Sequence, residues 1–490
     1  MHLAKGRPAT GLDPDDWTEL RRRGHAMLDD MFDHLETLSD QRVWTKPSRD
    51  ALASIDEALP QAPTDLARVH AQFRDAILPH SSGNAHPGFM GWVQGGGTAV
   101  GMLAAMLEAG MNVNAGGRHH MAIEVERQII AWTRQIFGFP ATASGLLVTG
   151  TSAANFIAVL AARTRALGNA RRAGLATLGT TLVAYASTAA HGCVARAMEM
   201  AGIGRDQLRL IPADAAQRID MDALRRAIAL DRTAGDQPFL LIGTAGTVDT
   251  GAIDDLAALA NLAALEDLHF HVDGAFGALA ILAPDLAPRL AGIERADSIA
   301  FDWHKWGQVP YDCGCILLRD ADLHRRTFAA DAAYLGRAPR GLAAGEWWPC
   351  DYGPDLSRSF RALKTWFTLK TYGIDAIGQV IASTVALAAR LADRVRTEPE
   401  LELLGPADLN IVCFAYRGPN ADRLNADRLN AEIVTDLHEA GEVAPSLTKI
   451  GGRSAIRAAI VNHRTTEREV DLLVESVLAL GRAAQLRQAA

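Results

Sequence analysis

Cysteine is scarce in this sequence, and the few cysteines show no paired spacing. The 490 residues include five cysteines, which are Cys193, Cys313, Cys315, Cys350 and Cys413. Their number is odd, and no two of them form a CxxC pair. This pattern excludes a disulfide framework and a zinc knuckle. The first sixteen residues also lack the apolar core of a secretory signal. We therefore expect a protein of the reducing cytoplasm.

Blocks of positive charge are also missing. Lysine and arginine total 49 against 57 aspartates and glutamates, a net charge of −8, which disfavours a nucleic-acid partner. One long stretch, residues 76–107, lacks charged side chains, but seven glycines and several polar residues interrupt it. This stretch predicts a buried loop and helix, and no association with a membrane is expected.

The composition is otherwise that of a globular protein, 49% hydrophobic and 22% charged. Between about residues 146 and 318, short apolar runs alternate with helical patterns. The runs read LLVTG, TLVAYAS, LRLIPA, FLLIGTAG, FHVDGAF and CGCILL. This alternation predicts an α/β domain whose large, mostly parallel sheet is covered by helices on both faces.

The pattern along the chain predicts three parts. These are an N-terminal helical segment at 1–85, a large α/β domain at 86–375, and a small C-terminal α+β domain at 376–490. Asp13, Pro14 and Asp16 indicate the start of an amphipathic first helix, with Asp13 in the capping position. This helix packs either on its own chain or on a second subunit. The tandem repeat ADRLNADRLN at 421–430 predicts an exposed loop.

Functional side chains cluster where predicted strands end. In HFHVDGAFG, residues 269–277, alternation puts His269, His271 and Asp273 on one face of a strand. A metal site could also use this spacing. Lys305 follows in FDWHKWG, between two tryptophans. A partly dehydrated lysine loses its proton more easily, and the neutral amine can bond to an aldehyde.

Asp273 and Lys305 together are the groups that a pyridoxal 5'-phosphate site most needs, a carboxylate for the ring nitrogen and a lysine for the aldehyde. The phosphate needs its own cradle. VTGTSAANF, residues 148–156, runs from a strand into a helix, so Thr151, Ser152 and nearby amides face an anion there. These segments predict pyridoxal phosphate as the cofactor and no metal. A pyridoxal phosphate site explains Asp273 and Lys305 together, which a metal site at the two histidines does not.

Eight motifs follow one another along the chain. They are HPGF at 86–89, GTSAAN at 150–155, AAHGCVARA around His191, TAGTVDTGAID at 244–254, HVDGAF at 271–276, HKW at 304–306, DAAYL around Tyr334 and SFRALKTW at 359–366. In these motifs the sequence resembles the group II pyridoxal-phosphate-dependent amino acid decarboxylases, the family of aromatic amino acid, histidine and glutamate decarboxylases. The resemblance covers nearly the whole chain. It implies the PLP-dependent transferase fold of type I and a homodimer with its sites at the subunit interface.

The resemblance also implies roles for individual residues. Lys305 would hold the cofactor as an internal aldimine, Asp273 would keep the ring nitrogen protonated, and His191 would stack on the ring. The other cofactor-binding residues would be Thr151, Ser152 and His304 near the phosphate, Ala275 under the ring, and Thr247. An L-amino acid would then lose carbon dioxide through an external aldimine and a quinonoid, leaving the amine.

Tyr334 matches a tyrosine of a mobile loop, which in the family protonates the substrate carbon after carbon dioxide leaves. Two positions depart from the family pattern. Ala153 stands where many members have an acidic residue in the phosphate turn, and Val248 stands where many have a threonine. These departures bear on contacts to the phosphate and to the substrate carboxylate, and leave the lysine chemistry as implied.

The segment after HPGF offers Trp92 and Val93 to a substrate and contains no arginine or lysine. It favours an aromatic or other bulky, uncharged amino acid. Two alternatives on the same fold are an aldehyde synthase, in which oxygen replaces the proton, and a carbon–carbon or carbon–sulfur lyase. A DNA-binding regulator that retains the cofactor site is disfavoured, because residues 1–85 show no basic helix-turn-helix pattern.

Overall fold

The computed structural model describes residues 11–175, 179–330, 336–417 and 423–489. The chain divides into two compact units, one that ends at Gly83 and one that begins at Asn84. The N-terminal unit is helical, with α1 (Trp17–Glu36), α2 (Arg49–Ile55) and α3 (Leu66–Gln72), the last continuing into a π-helical turn at Phe73–Ile77.

Helix α1 begins three residues later than the sequence indicated. Its N-cap is Asp16, whose carboxylate accepts hydrogen bonds from the amides of Thr18 and Glu19 at 2.8 and 3.2 Å. The expectation that Asp13 caps the helix is therefore wrong. Asp16 has an acidic residue three positions later, within the first turn, where it favours a helix start.

The unit that begins at Asn84 is built from strands and helices with the following bounds. The strands are β1 (Phe89–Met90), β2 (Ser144–Val148), β3 (Leu182–Ser187), β4 (Leu208–Ile211), β5 (Gln237–Thr244), β6 (His269–Asp273), β7 (Ser298–Asp302), β8 (Gly314–Leu318), β9 (Leu401–Leu403), β10 (Ile411–Tyr416), β11 (Ala444–Ile450) and β12 (Arg453–Ala459). The helices are α4 (Ala99–Met111), α5 (Met121–Ile136), α6 (Thr151–Leu167), α7 (Ala170–Ala173), α8 (Cys193–Met200), α9 (Met221–Ala234), α10 (Leu256–Leu265), α11 (Ala321–Phe328), α12 (Ala362–Tyr372), α13 (Ile374–Thr397), α14 (Arg423–Ala440) and α15 (Glu467–Ala489).

The larger sheet has the strand order β2-β8-β7-β6-β5-β3-β4. Strand β8 runs antiparallel to both of its neighbours, β2 and β7, and the other four strand pairs are parallel, so the predicted mostly parallel α/β sheet is confirmed. Because β5, β6 and β7 are parallel, their carboxyl ends meet at one edge, which places Thr244 opposite Asp273. Ligands of open α/β sheets bind at this edge.

The second sheet has the order β1-β11-β12-β10-β9 and is mostly antiparallel. Its edge strand β1 comes from far earlier in the chain, since Phe89 pairs with Ala444 in parallel. Residues 89 and 90 lie in the stretch 76–107, for which the sequence predicts a buried loop and helix and no strand. A strand of two residues is too short to show alternation, so its partner is decided by tertiary contacts.

The tandem repeat is not an exposed loop. Its described part, from residue 423, belongs to helix α14. A shift of five residues turns a helix by roughly 140°, so Asn425 is exposed whereas Asn430 is buried. The Asn430 amide bonds to both the backbone N–H and the carbonyl of Tyr416, at 2.8 and 3.1 Å. The two copies are equal in sequence and different in environment.

Among the described residues, α13 is the one helix long and apolar enough to cross a membrane by length and composition. Its contacts are those of a core helix. Ile381 and Leu391 are fully buried, while Arg390 and Arg394 each pair with Asp471 of α15 at 2.8 Å. The apolar face of α13 is therefore accounted for by packing within this unit.

Candidate active site

A cavity of about 520 Å³ lies at the carboxyl-terminal edge of the larger sheet. Nine of the residues predicted for the cofactor or the substrate line it: Trp92, Val93, Thr151, Ser152, His191, Asp273, Ala275, His304 and Lys305. They come from strand ends and from the turns that follow them, which parallel strands bring to one edge. The structure thus brings together residues that are far apart in the sequence.

Two predicted residues are not placed in this wall. The Thr247 side chain lies within its own turn, where its hydroxyl bonds to the Thr250 hydroxyl at 2.9 Å and accepts from the Ala252 amide at 3.1 Å. Thr244, at the end of β5, lines the cavity instead. Tyr334 lies outside the described residues, so its role stays a prediction.

Lys305 is paired with a carboxylate that sequence reasoning missed. Its amine Nζ lies 2.9 Å from Oδ2 of Asp302, which is the last residue of β7 and almost fully buried. The other oxygen of Asp302 accepts the Thr151 amide at 2.7 Å. Asp302 therefore joins the lysine to the start of helix α6. The available signal was an acidic residue at the end of an apolar run, three positions before the lysine.

The two tryptophans beside Lys305 do not enclose its amine. Trp303 and Trp306 are fully buried in the main core, and the Trp306 indole N–H donates to the Thr384 hydroxyl of α13 at 3.0 Å. The lysine itself stays partly exposed to the cavity. The tryptophans thus anchor the segment and leave the amine on the cavity side.

Asp273 is buried at the end of β6 with its carboxylate on the cavity wall. Burial raises its pKa, while a 2.9 Å hydrogen bond from the Asn155 amide and the charge of Lys305 act in the opposite direction. A buried carboxylate is stabilised by a cation that hydrogen-bonds to it. A protonated ring nitrogen in the cavity would supply that cation.

Cys193 is a further cavity residue that the sequence did not single out. Its thiol lies 3.2 Å from the Asn155 amide nitrogen and 4.0 Å from Asp273. Burial and the charge of Asp273 raise the pKa of this thiol to about 12. A thiol with a pKa this high is protonated near neutral pH, which disfavours a role as nucleophile.

The N-terminus of α6 fits a phosphate group. The Thr151 hydroxyl is buried and has no hydrogen-bond partner among the described residues, although it borders the cavity. Helix N-termini offer amide donors and a positive dipole end to anions. The His304 ring accepts the Cys313 amide on Nδ1 at 3.0 Å, so neutral His304 carries its proton on Nε2. Burial lowers the pKa of His304.

The remaining predicted groups complete the wall. His191 is exposed to the cavity, and its Nδ1 accepts the Cys193 amide at 3.1 Å, which orients the ring. Gly95 lies against the lysine segment, where any side chain would collide with the backbone oxygens of His304 and Lys305. The residues present therefore fit pyridoxal phosphate, with donors for its phosphate, a carboxylate for its ring and a lysine for its aldehyde.

Glu124 and Glu126 are two positions apart on helix α5 and face in different directions. Glu124 is partly exposed and pairs with Arg127 at 2.9 Å. Glu126 is buried and forms a two-point pair with Arg358, at 2.6 and 3.0 Å, while accepting the Leu147 amide of β2. This pair holds the strand that leads into the phosphate turn.

Comparison with known proteins agrees with this site. The model of the pyridoxal-dependent decarboxylase conserved domain matches residues 48–417. The chain is 32% identical to an aromatic-L-amino-acid decarboxylase of Bacillus atrophaeus, over 94% of this chain and 95% of the relative. It is 26% identical to a phenylacetaldehyde synthase of Arabidopsis thaliana, over 94% and 95%. The crystal structure of Oryza sativa TDC with PLP and tryptamine superposes with a TM-score of 0.89 at 25% identity, covering 97% of this chain and all of that one.

The fold and the site define a type I pyridoxal-phosphate enzyme. The chain belongs to the pyridoxal-dependent decarboxylase family. It is a PLP-dependent carboxy-lyase that acts on an amino acid, and the predicted family, fold and cofactor are confirmed.

Proposed function

We propose that this enzyme converts an aromatic or other bulky, uncharged L-amino acid to its amine and carbon dioxide. The observation that carries the proposal is the wall of the cavity. Trp92, Phe276, Tyr311 and Val248 line it, and the described part of the wall contains no arginine. A side-chain carboxylate would find no bidentate partner there. Relatives named tryptophan decarboxylase and tyrosine decarboxylase support the same substrate class.

Trp92 is held in place by the C-terminal sheet. Its φ of 51° lies in the left-handed region, which costs a non-glycine residue about 1–3 kcal/mol unless its surroundings enforce it. The Ser446 hydroxyl accepts the Trp92 amide at 3.3 Å, and buried Arg457 donates to the Trp92 carbonyl at 3.2 Å. Arg457 also donates to the Val248 carbonyl. Its guanidinium is therefore used to hold two walls of the pocket.

Pyridoxal phosphate, when bound, supplies the aldehyde carbon that bonds to amines and the ring that withdraws electrons from the substrate. The chain does the rest. Thr151, Ser152 and the first amides of α6 would hold the phosphate, and Asp273 would hold a proton on the ring nitrogen. Lys305 would occupy the aldehyde until substrate arrives. Trp92 would orient the substrate side chain and keep water from it.

A screen of amino acids for amine products tests the substrate class. We expect kcat/KM for L-tryptophan, L-tyrosine or L-phenylalanine to exceed that for L-glutamate by about 100-fold or more, because an unpaired buried carboxylate is costly. Trp92→Ala should raise KM for the aromatic substrate, whereas the control Trp92→Phe should stay near wild type. A preference for L-glutamate or L-aspartate would contradict the proposal.

We also propose that the enzyme works as a homodimer. Helix α1 buries none of its residues within the chain. The N-terminal unit leaves Leu12, Trp17, Leu52, Ile55 and Leu59 more than half exposed. Several large apolar side chains exposed on one unit favour a protein contact there, and a second copy of the chain is the partner that the family resemblance implies.

Sedimentation velocity tests the dimer. The wild-type protein should sediment as a dimer, and Trp17→Asp combined with Ile55→Asp should shift it toward a monomer, because charges would be placed in the contact. Leu265→Asp is the matched control, since Leu265 is 80% exposed on α10 of the other unit. A wild-type monomer, or a double variant that still sediments as wild type, would refute the proposed surface.

A further inference from the structure

A continuous chain of buried hydrogen bonds leads from Asp273 away from the cavity. Asn155 donates from Nδ2 to Asp273 at 2.9 Å, and its Oδ1 lies 2.8 Å from Nε2 of His271. The other ring nitrogen of His271 lies 2.8 Å from the Ser298 hydroxyl, which is 2.9 Å from Nε2 of His269. All five side chains are at most 3% exposed.

The fold explains why these five side chains meet. His269, His271 and Asp273 alternate along β6 and so share one face of the sheet. Ser298 stands opposite His271 on the neighbouring strand β7. Asn155 reaches this face from helix α6, which packs on it. The two histidines that resembled metal ligands are therefore occupied by Asn155 and Ser298.

The hydrogen bonds of this series all donate in one direction, toward Asp273. An ionised Asp273 only accepts hydrogen bonds, so Asn155 turns its nitrogen to Asp273 and its oxygen to His271. His271 must then donate from Nε2. Burial lowers the pKa of both His269 and His271 to about 3, so each ring carries a single proton. His271 Nδ1 therefore accepts from the Ser298 hydroxyl, whose oxygen accepts from His269.

At the end of the series farthest from Asp273, one ring nitrogen of His269 has no partner among the described residues. Nδ1 of His269 is buried and has no hydrogen-bond partner among the described residues, as expected for a bare lone pair at the end of a line of donors. Burial and then the charge of Arg165 lower the pKa of His269, so both disfavour a second proton on the ring. At the cavity end, Lys305 and His191 act on Asp273. The positive charges of Lys305 and His191 favour the ionised carboxylate on which the direction of these hydrogen bonds depends.

We propose that His271, Ser298 and His269 are positioning residues, which lock the Asn155 amide on Asp273 and thereby keep this carboxylate ionised and aimed at the ring nitrogen of the cofactor. The inference rests on the role of Asp273 given under the proposed function. Hydrogen bonds in a series strengthen one another. Without the N–H of His271 to hold its oxygen, the Asn155 amide could rotate and no longer donate to Asp273. This series of hydrogen bonds thus links the orientation of Asp273 to side chains in the interior of the sheet.

The holoenzyme reconstituted with ¹⁵N-labelled pyridoxal phosphate tests this role. The ¹⁵N chemical shift reports whether the ring nitrogen is protonated, independently of turnover. In His271→Leu we expect the ring nitrogen to lose its proton at lower pH, cofactor binding to weaken by about three- to tenfold, the range for one net hydrogen bond, and kcat to fall with little change in KM. His271→Gln retains a donor for Asn155 and should recover most of the wild-type signal.

Ser298→Ala is the milder variant, used also if His271→Leu does not fold, and should shift the ¹⁵N signal in the same direction by less. Ser144→Ala is the matched control, because Ser144 forms an equally buried 2.8 Å bond with His324 that does not reach Asp273. An unchanged ¹⁵N signal in folded His271→Leu or in Ser298→Ala overturns the proposed positioning role of these residues. If Asp273→Asn also leaves the signal unchanged, the proposed role of Asp273 is refuted as well. If the signal changes in Asp273→Asn alone, only the positioning role of His271, Ser298 and His269 is refuted.

Discussion

Lys305→Ala is expected to abolish amine formation and the borohydride-stable attachment of pyridoxal phosphate. Among the described residues that line the cavity, Lys305 is the one lysine. Lys364 is buried and donates to the Tyr311 carbonyl at 3.0 Å, so its amine is already engaged. Borohydride reduction of the wild-type enzyme, followed by peptide mass spectrometry, should place the cofactor on the peptide that contains Lys305.

Lys370→Ala is the control for this experiment. Lys370 lies over the Trp366 ring on helix α12 and away from the cavity, so its loss should leave both activity and labelling intact. Cofactor found on a different lysine of the wild-type protein would show that Lys305 is misassigned. Retained amine formation by Lys305→Ala, at more than a trace of the wild-type rate, would show the same.

Tyr334→Phe is expected to lower amine formation by about two orders of magnitude or more, the usual contribution of a positioned acid. The substitution removes a proton donor and keeps the ring, so KM should change little. Oxygen should then compete for the reacting carbon, and the variant should yield aldehyde, ammonia and peroxide. Amine, aldehyde and oxygen uptake measured together follow this change directly.

The same assay separates the two chemistries found among the relatives, which include both decarboxylases and phenylacetaldehyde synthases. Wild-type enzyme that releases carbon dioxide and amine in equal amounts is a decarboxylase. Stoichiometric aldehyde with oxygen uptake would assign it to the synthases instead. If Tyr334→Phe forms amine at the wild-type rate, the proton comes from another group, for which His191 in the cavity wall is the first candidate.

Local patterns located most, but not all, of the strands that carry the site. Runs such as FHVDGAF and CGCILL are apolar and bounded by small residues. Strand β8 lies within CGCILL, and strand β6 overlaps FHVDGAF but begins one residue earlier, at His269. Asp273 follows directly from this reading because it ends its strand. The β7 run SIAFD was overlooked, and with it Asp302 and Ser298, because a five-residue run that begins and ends with polar residues has little periodic signal.

The sequence by itself determined the chemistry of this protein, because lysine, carboxylate and phosphate turn are single residues or short motifs whose type and order identify the cofactor. Only the tertiary structure decided which side chains support them. Asp302 beside Lys305, and the line from Asn155 to His269 behind Asp273, join residues of different strands and helices. Hydrogen bonds between such residues depend on strand register and helix packing, which no local pattern records.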